Sequence, residues 1–525
     1  MRLLLRPTSL LGFLLCLRTS LACSDRVALL IDPSVVAEVT GGASIKLGPV
    51  EKSSHNPLLQ EDQLWEAAWW NTNPSVFHHN GSYHMYYTSN IICGAGRRAG
   101  MCPHSGWEGP AETTGPYTGL LYAHSTDGVK WQKPSLGLFS APPNQSKANN
   151  IVLANAALGN GVFYDLNSGL FRQFGHSVCE VTSGMEAASA WHGGTLAVSS
   201  SADGISNWTE CTSAAAMECE GDTTNNALWD ADVKRYFAFT RIDNGGASAK
   251  TLGTRREARS VSADFRTWSK AAEVLHGEAD YEAYAAVPFK PAVGSRAGLY
   301  FGLGMFYNIT AGGSTAWNTS ADRGKVYCEL LRSTTYGASW TRLAPGQPFI
   351  PHGGEGSLDS HTTYAAARPF ESPDEPGTML FYYAGGNGPH SGPRRNFMML
   401  ATAPTSALAG YAGPGAIVSH AVEACDGGGW LLHHTAGGSV QVSVTSSTRT
   451  AAAGPGQVLL PADKSSLMFE RALSDGVQVS RVVWAGSNVS DYAVLATTGS
   501  VSLRFFVAHG TTLYAFQCSC NQTAA

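Results

Sequence analysis

The chain has 525 residues, more than one ordinary compact core holds, and at about 100–200 residues per domain it predicts several domains or one large repeat domain with an appendage. Apolar residues make up 43%, charged residues only 14%, and the net charge is −5. That excludes a disordered chain, which needs few apolar residues and high charge, and leaves no basic footprint for nucleic acid or anionic lipid.

The N-terminus has the pattern of a secretory leader over residues 1–22. Arg2 and Arg6 supply the positive region, Leu10 to Leu17 the apolar stretch, and Ser20-Leu21-Ala22 a small-x-small cleavage site. The rival, a lipoprotein lipidated at Cys23, is disfavoured because position 20 then prefers Leu and holds Ser. No later segment offers about 18 continuous apolar residues, so no membrane span is expected. A secreted or lumenal chain agrees with Asn-x-Ser/Thr sequons at Asn80, Asn144, Asn207, Asn308, Asn318, Asn488 and Asn521. Without Cys16 the cysteines form an even set. Cys93 with Cys102, and Cys211 with Cys219, are spaced to staple loops, and Cys425 is placed to reach Cys518 or Cys520. After a lead-in over 23–60, a repeat begins.

Ser125-Thr126-Asp127-Gly128 leading to Trp131 returns as Ser201-Ala202-Asp203-Gly204 leading to Trp208. It returns as Ser262-Ala263-Asp264-Phe265 before Trp268, more loosely as Ser333 to Gly337 before Trp340, and in degraded form ahead of Tyr411. The closing aromatics lie 77, 60, 72 and 71 residues apart, a period that suits one four-stranded sheet with generous loops. Ser and Asp side chains bond turn amides, Gly supplies positive φ, and Trp packs between neighbouring sheets. Ahead of each copy stand a buried-looking first strand, such as Pro74 to Phe77 or Ala285 to Phe289, and an aromatic second strand, such as Tyr83 to Tyr87 or Tyr236 to Phe239. Five units in the same order predict a five-bladed β-propeller over 61–411. Beyond Gly413-Pro414-Gly415 the motif stops, and alternating runs such as Val440 to Val444 and Val501 to Val507 predict a C-terminal β-sandwich over 412–525. No long helix is expected, so the fold class is all-β.

Around a propeller axis the first strands converge, and polar groups just ahead of them face a common funnel. Asp222, Glu282 and Asp359 stand ahead of three first strands, and Asn73 ahead of another, with Asp62 and Glu66 upstream. Paired carboxylates suit glycoside hydrolysis: one protonates the leaving oxygen, the other attacks or activates water. Asp127, Asp203, Asp264, Asp165 and Asp230 are assigned to turns. Arg241 and Arg256 (or Arg259) are candidate clamps for sugar hydroxyls or acids, against ordinary salt bridges as the alternative. Trp65, Trp69 and Trp70 form an aromatic cluster that sugar rings or core packing could use. His352 and His361 bracket a glycine-rich loop, as funnel lining or as loop hydrogen-bonders. No nucleophile elbow, phosphate loop, dinucleotide fingerprint or zinc-ligand spacing occurs, so neither a metal nor a cofactor is expected.

Tyr122 to Leu138 followed by Asn149-Asn150-Ile151-Val152 resembles secreted members of the five-bladed-propeller glycosidase superfamily, which includes glycoside hydrolase families 32 and 43. The resemblance covers the five blades and extends to a C-terminal sandwich, as in family 32. It implies a nucleophilic or basic aspartate, a transition-state-stabilising aspartate and an acid glutamate. Trp70-Asn71-Thr72-Asn73-Pro74 sits where family 32 has Trp-x-Asn-Asp-Pro, an imperfect match with Asn73 in the aspartate's place; Gly221-Asp222-Thr223 and Glu282-Ala283-Tyr284 approximate the other two motifs. An amide is no nucleophile or base, so Glu66 or Asp359 must substitute, or the invertase mechanism is absent. The expectation is a secreted glycoside hydrolase of an oligo- or polysaccharide, with Glu282 as acid, Asp222 as stabiliser, and Asp359 or Glu66 as base. Asn73, Trp70, Arg241, Arg256 and His361 are the expected substrate contacts. The alternative is a carbohydrate-binding or scaffold propeller that has lost catalysis.

Overall fold

A computed structural model of the chain describes residues 27–69, 71–91, 118–141, 144–154, 159, 161–176, 196–214, 217–218, 221, 224–243, 255–278, 280–309, 324–390, 392–423, 425, 429–447, 457–485 and 500–518. The expected leader, Trp70, Asp222, Cys93, Cys102 and Cys219 therefore lie outside the described residues. Strands account for the regular structure, with a 3-10 turn at Ala462–Lys464 and no α-helix among the described residues.

The repeated turn is built as its residues dictate. Ser125 Oγ accepts the Gly128 N–H at 2.9 Å, and Asp127 Oδ1 accepts the N–H groups of Val129 and Lys130 at 2.9 and 2.7 Å. Ser201 with Asp203 and Ser262 with Asp264 repeat the pattern. Gly128, Gly204 and Gly337 sit at φ 71°, 74° and 75°, and Phe265 takes the same position at φ 63°. A Cβ at Gly128 would lie 2.5 Å from Tyr382 Oη, and one at Gly204 2.4 Å from Tyr86 Oη, so glycine serves both backbone and neighbour. Each motif tryptophan packs on the preceding sheet. Trp131 meets Tyr382 edge-on, Trp208 joins the cluster of Phe77 and Tyr86, Trp268 meets Phe174, and Trp340 meets Phe239.

These turns connect antiparallel sheets in chain order. The first sheet is Ser75–His79, Ser82–Asn90, Thr118–Ser125 and Ile151–Ala154; the second is Gly161–Asp165, Leu170–His176, Leu196–Ser201 and Thr209–Ser213. The third is Asn226–Asp230, Arg235–Asp243, Arg255–Ser262 and Ala272–His276; the fourth is Tyr281–Phe289, Tyr300–Asn308, Val326–Ser333 and Thr341–Arg342, and it runs on into the fifth within one nine-stranded hydrogen-bonded sheet. The fifth takes Thr362–Ala365, Thr378–Gly386 and Asn396–Pro404 from its own stretch, but its fourth strand is Glu51–Lys52 from near the start of the chain. Parallel bridges join Val326 to Thr362 and Ser75 to Ala367, linking the fourth sheet to the fifth and the fifth to the first. Asp165 and Asp230, expected at turns, do bond turn amides, and they also accept the hydroxyls of Tyr236 (2.7 Å) and Tyr300 from the next sheet.

Two further sheets follow. One orders Ser44–Leu47, Ala409–Ala412, Thr512–Cys518, Trp430–Thr435, Val477–Trp484 and Ser465–Ser474, with Ala28–Leu29 beside Thr512–Cys518. The other orders Val36–Thr40, Gly415–Ser419, Ser500–Val507, Val440–Ser446 and Val458–Leu460, with Val422–Glu423 alongside. Inward residues of both, including Leu432, Val442, Leu503, Phe505 and Phe516, form one buried cluster. Cys425 bonds Cys518, one of its two expected partners. The stretch expected as a lead-in thus supplies three strands to these sheets and one to the fifth. Tyr411, expected to close the last repeat, pairs with Leu513 in the larger of the two instead.

Candidate active site

In each of the five sheets the first strand begins, the second ends and the third begins at the same end, because the strands alternate in direction. Side chains from four sheets meet there. Asn71, ahead of the first sheet, donates Nδ2 to Tyr284 Oη of the fourth at 2.6 Å, and its Oδ1 accepts Arg394 Nη2 of the fifth at 2.7 Å. Asn73, held at φ 40°, accepts Thr224 Oγ1, from ahead of the third sheet, at 2.6 Å.

Glu282 lies at the start of the fourth sheet's first strand, opposite Tyr307, and is 2% exposed. Its Oε2 accepts Arg255 Nη1, from the start of the third sheet's third strand. Two residues on, the register shifts between Ala283 and Ala285, leaving Tyr284 in a bulge. A bulge frees a backbone carbonyl from the ladder and re-aims the side chain. Here the Tyr284 carbonyl accepts Arg241 Nη2 at 2.8 Å, and the Arg241 guanidinium lies 4.3 Å from the Tyr284 ring centre. Arg255 lies 5.5 Å from the Tyr307 ring centre. His390 packs edge-on to Tyr284 and Tyr307, with ring centres 4.9 and 4.6 Å away, and its Nδ1 lies 2.7 Å from Tyr364 Oη. Burial, reinforced by the charges of Arg394, Arg255 and Arg241, holds His390 well below the usual imidazole value, so it is neutral. Glu257 stands opposite Arg241 in the third sheet. Burial pushes its carboxyl well above the usual range, opposed by Arg241 and the Ala286 N–H.

The other expected carboxylates have partners of their own. Asp359 accepts Lys52 Nζ at 2.5 Å and Tyr383 Oη at 2.9 Å. It packs where a Cβ of Gly385 would point, whereas Arg394 lies where a Cβ of Gly386 would point. Adjacent strand residues face opposite ways, so Asp359 and Arg394 lie on opposite faces of the fifth sheet. Glu66 accepts Tyr87 Oη (2.8 Å), Lys133 Nζ (2.7 Å) and the N–H groups of Asp62 and Gln63. Burial raises its pKa and Lys133 opposes the shift. Nearby Glu61 accepts the Trp69 N–H, and burial pushes its carboxyl up to about 7.

Arg256, an expected substrate contact, pairs with Glu273 at 2.6 Å on a partly exposed strand, whereas its neighbour Arg255 reaches Glu282. Period-2 alternation gives one of two adjacent arginines to each face, and sequence alone left the choice open. Arg241 is buried within the group, whereas Arg259 is tied to the Tyr336 carbonyl. His361 lies 2.8 Å from Ser360 Oγ and joins the fourth and fifth sheets through its backbone, while His352 bonds the Val326 carbonyl. Asn71, Tyr284, Tyr307, Tyr364, His390 and Arg394 were not anticipated. Their signal was position alone, at first-strand starts, at second-strand ends and, for His390 and Arg394, in the connection from second to third strand.

No family model matches the chain, and no curated protein matches it in sequence. Among solved structures it is similar to an N-acetylgalactosamine deacetylase from F. plautii in complex with blood group B trisaccharide, at 14% identity and TM-score 0.44, over 70% of this chain and 97% of that one. It is also similar to an α-L-arabinofuranosidase from Podospora anserina in complex with cellotriose, at 13% identity and TM-score 0.39, over 68% and 98% of the two chains. A thermostable family-43 glycoside hydrolase gives 13% identity and TM-score 0.39, over 63% and 88%.

Proposed function

We propose that the five sheets are the blades of a five-bladed β-propeller, that the two remaining sheets form a β-sandwich completed by N-terminal strands, and that the protein is a secreted glycoside hydrolase working at the shared strand end. One observation carries this: Glu282, a buried carboxyl of the fourth sheet, is gripped by Arg255 of the third inside a group to which the first and fifth sheets also contribute. Such a carboxyl is placed to act on a glycosidic oxygen once a bound sugar draws Arg255 away from it. Glu282 gives its proton to the leaving oxygen as the C–O bond breaks. A second carboxylate takes a proton from the water that attacks the anomeric carbon. Asp222, two residues from the Thr224 that touches Asn73, is the proposed second carboxylate. The donors already on Glu66 and Asp359 suit positioning of loops and strands.

A second reading, a carbohydrate-binding propeller without turnover, is favoured by Asn73, whose amide stands where the resemblance expects an aspartate. Fructans, arabinans, xylans and aryl glycosides, assayed for released reducing ends, separate the two. The hydrolase reading expects turnover of one class, reduced roughly 10²–10⁴-fold in Glu282→Gln with the thermal midpoint kept. Binding without turnover supports the second reading, and undiminished turnover by Glu282→Gln removes the acid assignment.

A further inference from the structure

The opposite end of the first two sheets carries a recess of about 410 Å³, lined by His79, Asn80, Ser82, His84, Tyr164, Gly169, Phe171, Ala202 and Asp203. That volume falls within the roughly 300–1,000 Å³ of small-molecule pockets. Its walls are rings: His79 stacks on Tyr164 with centres 3.6 Å apart, and Phe171 lies 5.2 Å from Tyr164 and 6.0 Å from His84. Two of the polar side chains of the wall, His84 and Asp203, are engaged. The His84 nitrogens lie 2.8 Å from Tyr122 Oη and 3.3 Å from the His79 carbonyl, and the Asp203 oxygens accept groups of its own turn. The partly exposed rings of His79 and Tyr164 offer a face to the apolar side of a sugar ring, and the polar atoms around them suit its hydroxyl and acetamido groups.

Asn80 stands at the rim of this recess and is also the acceptor of an Asn-Gly-Ser sequon. It forms a two-residue hairpin turn with Gly81, at φ 49° and 74°, and its side chain is exposed. Asn144 and Asn207 are exposed as well, and Asn308 is buried at 5% exposure. We propose that Asn80 carries an N-linked glycan whose first N-acetylglucosamine folds back into the recess against Tyr164, Phe171 and the two histidines. In the transfer a bond forms between Asn80 Nδ2 and C1 of the sugar, and the C1–O bond to the diphosphate of a lipid-linked oligosaccharide donor breaks. The lipid diphosphate leaves with the bonding pair, and the amide proton passes to base.

The full chain with its own leader, secreted from a eukaryotic host, tests this by glycopeptide mass spectrometry and timed amidase release. Asn80 is expected to be occupied, its glycan leaving the native protein several-fold more slowly than the denatured one. Tyr164→Ser, which removes one wall, is expected to raise the native rate toward the denatured rate. An unmodified Asn80, equal native and denatured rates, or a rate unmoved by Tyr164→Ser would each overturn the proposal.

Discussion

At the scale of single residues, burial sets the charge states that matter, and it acts in opposite senses on acids and histidines. Glu61 is raised to about 7, above its unfolded value, so the folded state holds its proton longer and stability from this site declines as pH rises from about 4.5 to 7. Glu61→Gln keeps a neutral acceptor for the Trp69 N–H and is expected to remove that decline, seen as a flatter midpoint-versus-pH curve across this window. His84, His352 and His433 are each lowered to about 4 by burial. The unfolded chain therefore binds protons that the folded chain refuses, and stability falls as pH drops from about 6.5 to 4. Burial also lowers His79, His361, His390 and His434, and together these histidines outnumber the raised Glu61, Glu66 and Glu257, so the wild-type urea midpoint is expected to drop on acidification across that range. A midpoint independent of pH there would contradict the burial of these rings. None of this was legible in the sequence, where Glu61 and His433 look like any other Glu and His.

Among the elements, the turn motif was the most legible feature because its residue types serve local bonds: Ser and Asp bond amides two or three residues away whatever surrounds them. The reason for its glycine was only half visible. Positive φ could be expected, whereas the approach of Tyr382 and Tyr86 hydroxyls from neighbouring sheets could not. Gly128→Ala and Gly204→Ala are accordingly expected to cost on the order of 2–4 kcal/mol each, combining left-handed strain with overpacking. Gly137→Ala, at φ 74° with nothing within 4 Å of its added Cβ, is expected to cost about 1–2 kcal/mol. Equal losses in denaturant titrations would mean that the tyrosines yield freely. The candidate site was legible at Glu282 and Arg241 because each lies on or beside a patterned strand. It was obscure at His390 and Arg394, which sit in a connection without periodicity, and at Tyr284, whose bulge breaks the alternation that sequence reading relies on.

For the whole molecule, the early strands are what the sequence concealed. Glu51–Lys52 is too short to carry a pattern, yet it completes the fifth sheet and brings Lys52 to a buried carboxylate. Lys52→Met is expected to leave Asp359 without its cation and to cost about 2–4 kcal/mol; pairing it with Asp359→Asn should recover part of that loss in a double-mutant cycle of thermal midpoints. Additive losses would deny the coupling. Joining the fifth sheet through residues 51–52 also has a kinetic corollary. When a ribosome has made the first four sheets, the strand that must lie beside Asn396–Pro404 has been waiting, unmatched, for more than 300 residues of synthesis. Its backbone amides and carbonyls stay available to any passing edge during that interval. Assembly of this protein is therefore a latch that closes late, and crowding or a slow stretch of translation before residue 396 should favour aggregates over the completed fifth sheet.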